Sequence, residues 1–333
     1  VRKALSYVLL LATLVAAMVV SLLVGPAHVP ADEVVAILFG KIADRPAWGY
    51  IVEDRLSRTL VALAAGAGLS LAGLVMQTIF RNPLAGPGIL GVSAGAGAGS
   101  ALAILLPAGV LGVLGGQWTV ILFSGIGAFA ALGLILWVSR FFTTMSGVLI
   151  TGLMLTFFLS AIVSILLQYG KEGAVQRYVM WGMGSTAGID IAYGWGLLVL
   201  VLLSGAFLWA YAHRLNLLMV GDVQARLSGM NVVTTRIVLL VVVGLITAVV
   251  TAFCGPVGFV GMAVPHLARA AGTRGLHRHW VVYSAIIGAA LLVLCDVLTR
   301  VPVPLPLNAV TSILGAPVVV WVLLKGKRKG GLE

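Results

Sequence analysis

The sequence predicts an all-α polytopic membrane protein of about ten transmembrane helices, and three observations predict it. Of 333 residues, 61% are hydrophobic and only 9% charged, where a soluble domain carries about 25% charged residues. Apolar runs of about 20 residues, the length that crosses the hydrocarbon, recur along the whole chain. The few charges gather in short clusters between those runs. A soluble core cannot hide an apolar excess of this size, which needs lipid as a second solvent.

Taken in order, the runs lie near 5–25, 58–80, 92–114, 118–138, 147–168, 193–212, 236–254, 257–271, 281–299 and 308–325. The first has the length of a span and no convincing cleavage site, so it reads as a retained helix rather than a signal peptide. The eighth is short and carries Gly261 and Pro265, so a kinked or incomplete crossing is expected there. Cys254 and Cys295 sit in apolar runs without CxxC spacing and read as small buried hydrophobes. Ten crossings return the chain to the side on which it started. With the N-terminus inside, fourteen of the 21 Lys and Arg residues fall in inner segments, against two of the ten acids, Asp222 and Glu333. The positive-inside rule reads this as N-in, C-in, which also turns the net charge of +11 into a topology signal rather than a nucleic-acid footprint. Residues 1–333 read as a single transmembrane domain.

Three hydrophilic segments are long enough to meet partners. The outer segment 26–57 holds a short amphipathic helix candidate over 31–40 and ends in Glu53-Asp54-Arg55. The outer segment 169–192 holds an aromatic, glycine-containing stretch over 176–184. In the inner segment 213–235, Asp222 is placed to cap a short helix running to Leu227, and Gly229 to end it. Such a helix would lie flat on the cytoplasmic surface.

Several chemistries are excluded. Gly91-Val92-Ser93-Ala94-Gly95 matches the G-x-S-x-G nucleophile elbow, but that motif works on a strand-to-helix turn with His and acid partners. Here it opens a Gly- and Ala-rich apolar helix, and Gly91, Gly95 and Gly99 share one face suited to close helix packing. An intramembrane hydrolase built on Ser93 is therefore rejected. No G-x-x-x-x-G-K-[ST] occurs, so the chain has no P-loop and any ATP hydrolysis belongs to another subunit. Neither H-E-x-x-H nor a carboxylate pair points to a metal, and no cofactor is expected on this chain. Ionisable residues within the spans are nearly absent, Asp296 being the main one, which disfavours an ion-coupled carrier.

Two motifs carry more. Arg81-Asn82-Pro83-Leu84-Ala85-Gly86-Pro87-Gly88-Ile89-Leu90-Gly91 is a stiff turn joining the second and third spans on the inner side. Gly255-Pro256-Val257-Gly258-Phe259-Val260-Gly261-Met262-Ala263-Val264-Pro265-His266-Leu267-Ala268-Arg269 runs through the eighth span. Within it, His266 reads as a packed, hydrogen-bonded histidine. Together with the Leu-Gly-Ala-Pro of the last span, these segments resemble the FecCD-type permeases of ATP-binding-cassette importers for iron-siderophores, haem and vitamin B12. The resemblance covers essentially the whole chain. One departure is Gly86, where members commonly have an acidic residue.

The resemblance implies a type II importer architecture: two permease subunits, identical or paralogous, two cytoplasmic ATPase subunits that use ATP and magnesium, and an external substrate-binding protein. It implies that Val220-Gly221-Asp222-Val223-Gln224-Ala225-Arg226-Leu227-Ser228-Gly229-Met230 couples to the ATPase; the alternative is an ordinary solvated loop. It implies that Arg55, Arg58 and Arg300 dock glutamates of the binding protein, the alternative being local pairing with Glu53, Asp54 or Asp296. It implies a path between the two permeases along the fifth and tenth spans, with Thr143-Thr144-Met145-Ser146 in a cytoplasmic gate. The implied cargo is a metal chelate, a ferric siderophore first, with haem and cobalamin as alternatives, in the bacterial-type inner membrane.

Overall fold

A computed structural model of the chain describes residues 2–41, 45–106, 117–142, 145–271 and 276–329. Its described residues form fourteen α-helices and two short 3-10 turns. In chain order the helices are α1 (Arg2–Leu23), α2 (Ala31–Leu38), α3 (Pro46–Ile79), α4 (Val92–Leu105), α5 (Gln117–Val138), α6 (Met145–Tyr169) and α7 (Glu172–Gly182). They continue with α8 (Ile191–Ala210), α9 (Ala212–Val220), α10 (Asp222–Leu227), α11 (Val232–Cys254), α12 (Val260–Ala271), α13 (His277–Leu298) and α14 (Leu307–Lys329). Seven are long and apolar enough to cross a membrane: α1, α3, α5, α6, α8, α11 and α13. Two shorter apolar helices, Val92–Leu105 and Leu307–Trp321, and the half-length α12 complete the expected series. The second half of the expected third span, 107–116, lies outside the described residues.

The core is built around α3. At 1.5 Å per residue its 34 residues run about 51 Å, and 94% of its most apolar stretch is buried by neighbouring helices rather than left to lipid. Small residues make that burial possible. An added Cβ at Gly66 would strike the Gly288 carbonyl oxygen of α13, and one at Gly73 the Gly261 carbonyl oxygen of α12. With no apolar gain from leaving lipid, such close packing is what holds membrane helices together. The same logic joins α4 to α5, where Gly95 and Gly99 lie against the backbone at Gly127 and Phe123. Gly91 departs from the expected packing face. It stands just before α4 with φ of 73°, a left-handed turn position that glycine adopts without strain.

α12 shows why the eighth run is short. Twelve residues rise about 18 Å, short of the ~30 Å hydrocarbon. The chain reaches the helix through an irregular segment, with Phe259 at φ of 63°. Non-helical backbone at membrane depth survives only where protein satisfies it. Asn308 of α14 accepts from Gly258 N–H (3.0 Å), and Ser185 N–H donates to the Cys254 carbonyl (2.8 Å). Cys254 and Cys295 are buried free thiols.

Candidate functional site

Two polar clusters punctuate the apolar chain, one beside the outer part of α3 at Arg58 and one just past its inner end at Arg81.

The outer cluster centres on Asp296, in the last turn of α13 and fully buried. Its Oδ1 accepts from Arg58 Nη2 (3.0 Å) and from Thr186 Oγ1, and its Oδ2 from Arg300 Nη2 (2.5 Å). Arg300 also donates to the Ser21 carbonyl (3.1 Å) and Ser21 Oγ (2.6 Å), tying α13 to α1. Burial pulls the Arg300 guanidinium down from its ordinary pKa, while the Asp296 carboxylate opposes that. Arg55 takes a different route and donates to the carbonyls of Leu22, Leu23 and Ala27, capping the end of α1. Among the described residues no carboxylate comes within 4 Å of it. Arg55 and Arg300 are 2% and 6% exposed, so both are held by internal partners rather than projecting outward. The local pairing with Asp296 that the sequence allowed is present for Arg58 and Arg300. All three arginines nevertheless line one external cleft of about 430 Å³, together with Tyr50, Asp54 and Thr299.

The inner cluster centres on Asp222. The short helix stands where expected, as α10, and Gly229 follows it at φ of 80°. The cap is different: Gly221 occupies the N-cap position, and Asp222 is the first helical residue. Its carboxylate is spent elsewhere, with Oδ1 accepting from Arg81 Nη2 and from Arg236 Nη2, each at 2.8 Å. Arg81 further reaches the Leu218 carbonyl (3.1 Å). The sequence reading missed α9, the helix before this segment, because its mixed pattern HRLNLLMV shows no long apolar run. Its helical signal is the i, i+3 spacing of Leu215 and Leu218, both buried. On α10, Ala225 is buried while Val223 and Leu227, four apart, are 74% and 77% exposed, with Val220 beside them. A cleft of about 550 Å³ lined by Arg226, Gly229, Met230, Asn231, Val232 and Val233 adjoins it.

The two motif segments meet between these clusters. His266 Nε2 donates to the Pro83 carbonyl (2.8 Å), the packed role expected of it. Arg269 donates to Gln77 Oε1 (2.7 Å) and lies over the Trp280 ring. Pro87 fills the space beside Gly261, and Phe259 packs on Gly315 of α14. Asn82 Oδ1 accepts from Leu84 N–H, an Asx turn. Pro265 is buried within α12. Nothing lies within 4 Å of a Cβ placed on Gly86. Of the gate segment, Thr143 and Thr144 lie outside the described residues, Met145 opens α6, and Ser146 is exposed on its first turn.

A sequence profile of the FecCD transport family matches residues 13–325. The chain belongs to the FecCD transport family. The vitamin B12 import system permease protein BtuC of Escherichia coli O9:H4 (strain HS) is 34% identical over 284 residues, 84% of this chain and 85% of that protein. Its counterpart in Escherichia coli O139:H28 is 35% identical over the same shares of the two chains. A solved ABC transporter assigned to the metal-chelate type, in an inward-facing conformation, superposes with a TM-score of 0.81 at 28% identity, covering 98% of this chain and all of that one. The FecCD chain is thus an all-helical, multi-pass inner-membrane permease of the ABC-importer kind.

Proposed function

We propose that this chain is the membrane-spanning subunit of an ATP-driven importer that passes a bulky metal chelate, a ferric siderophore first, from an external binding protein to the cytoplasm. The observation that carries the reading is family membership across almost the entire chain, with the motif turn and the half-helix α12 in contact as one unit. In this reading the exposed apolar face of α10 docks into a separate ATPase subunit that binds and hydrolyses ATP with magnesium. Apolar side chains at a polar, arginine-rich helix end suit a protein partner better than lipid. Two permeases, identical or paralogous, enclose the path along α6 and α14, with residues 143–146 at its inner gate. No charged residue lies in α6, so a passing chelate meets only weak contacts.

The outer cleft is the docking point for the binding protein. Three guanidinium groups line it, and an incoming carboxylate reaches Arg58 most directly, because Arg55 and Arg300 are held deeper. Cobalamin is the second reading of the cargo, favoured by the 34–35% identity to vitamin B12 permeases. Proteoliposomes containing the chain, its ATPase and its binding protein test the proposal with labelled ferric siderophore and labelled cobalamin. ATP-dependent accumulation of either is expected and names the cargo. Uptake driven by an ion gradient without the ATPase would overturn the reading.

A further inference from the structure

The turn that follows α3 touches four separate elements. At its start, Arg81 has a backbone φ of 47°, a left-handed conformation uncommon for a residue with a Cβ. From there its guanidinium reaches both the Leu218 carbonyl at the end of α9 and Asp222 Oδ1 at the start of α10. In the middle of the turn, the Pro83 carbonyl accepts from His266, and Pro87 packs on Gly261, both of α12. At its far end, an added Cβ on Gly152 of α6 would strike the Ile89 carbonyl oxygen. Two prolines, the Asx turn at Asn82 and the 3-10 turn Pro87–Leu90 stiffen what lies between. Asp222 bears a second load: the Arg236 guanidinium at the start of α11 donates to it and is otherwise buried, with its Nε unpartnered.

We propose that the turn over 81–91 is a strut that carries displacement of α10 to α12 and α6, and that Arg81 is the positioning residue fastening α10 to it through Asp222. The inference rests on the reading of α10 as the ATPase-docking helix and deepens it, by naming how motion leaves that helix. A stiff segment clamped at both ends transmits displacement, whereas a solvated loop absorbs it. Packed contacts of this kind have few intermediate arrangements, so a small shift at α10 is passed on rather than dissipated.

The test uses the whole importer in proteoliposomes, with two readouts. The parent carries Thr234→Cys, an exposed position beside but outside the docking segment, while the native Cys254 and Cys295 are buried. A photoreactive maleimide at position 234 reports docking by cross-linking to the ATPase. The ratio of substrate imported to ATP hydrolysed reports the strut. Arg81→Gln and Asp222→Asn are each expected to keep the cross-link and lower the ratio about three- to fivefold, the upper range for a pair whose side chains are 46% and 35% exposed. Combining them is expected to cost less than the product of the two losses, because they share the Arg81–Asp222 contact, while Arg81 alone holds the Leu218 carbonyl and Asp222 alone holds Arg236. Arg81→Lys should recover part of the ratio, since a single ammonium cannot reproduce the forked contact to Leu218 and Asp222. An intact cross-link with a ratio within about twofold of the parent, or losses that multiply in the double variant, would overturn the strut while leaving docking in place. Absence of a cross-link in the parent would overturn the docking reading itself. If Arg81→Gln fails to assemble, Asp222→Asn, at the half-exposed end of a short helix, carries the test alone.

Discussion

Replacing Asp296 by Leu should destabilise the protein far more than its single charge suggests. The carboxylate is fully buried and accepts from Arg58, Arg300 and Thr186. Removing one partner of a buried ion pair typically costs about 3–5 kcal/mol, because the other charge stays buried without compensation. Arg58 can turn toward solvent, its side chain being 16% exposed at 3.0 Å from the acid. Arg300, with a side chain 4% exposed, cannot. Its bonds to the Ser21 carbonyl and Oγ remain, so the lower end of the range, about 3 kcal/mol, is expected for Asp296→Leu. That is more than a hundredfold in the folded-to-unfolded ratio. Denaturant titration of the purified permease in detergent, followed by tryptophan fluorescence and size exclusion, measures it. The control is Asp296→Leu combined with Arg300→Met, which removes both charges and should recover most of the loss, since apolar replacement of a whole buried pair is often neutral or better. A single-variant cost below about 1 kcal/mol, the range of exposed pairs, would refute the reasoning, as would a double variant no more stable than the single one.

Further outcomes follow from the packing and from the two polar ends. Gly66→Ala should cost about 1–3 kcal/mol by overpacking against the Gly288 carbonyl, while Gly133→Ala on α5, with nothing within 4 Å of the new Cβ, should be neutral or slightly stabilising; the same denaturant titration compares them. Leu227→Asp on α10 should abolish co-purification of the ATPase while changing stability by less than about 0.5 kcal/mol, since the side chain is 77% exposed. Arg58→Gln, which adds no carboxylate beside Asp296, should weaken binding-protein affinity at low salt and much less at high salt, measured by surface plasmon resonance on nanodiscs, because ion pairs formed at the cleft mouth are screened. Equal loss at both salts would point to misfolding of the Asp296 cluster instead.

Much of the fold was legible because the bilayer imposes a one-dimensional rule. A span must be about 20 apolar residues with its backbone bonded internally, so α1, α5, α6, α8, α11 and α13 can be read from runs of letters. α12 was readable as an irregular case because Gly261 and Pro265 announce it. α9 was not, since a short amphipathic helix beside a span leaves only a few alternating residues as signal. The candidate site divides the same way. The segment at Val220–Met230 and the arginines at 55, 58 and 300 stand out as polar exceptions in an apolar chain. Which partners those charges hold is a matter of tertiary structure, because Asp296 lies 238 residues from Arg58, and Asp222 lies 141 from Arg81.

The sequence by itself determined that this protein is an all-helical, multi-pass membrane protein and which family it resembles, because hydrophobicity acts residue by residue. Only the tertiary structure decided that Asp222 clamps arginines rather than capping its helix, that Arg55 and Arg300 are held by internal partners, and that the turn over 81–91 joins α10 to α6. The physical reason is that a buried charge takes whichever partner the packing of separate helices brings within about 3 Å, and spacing along the chain carries no record of that distance.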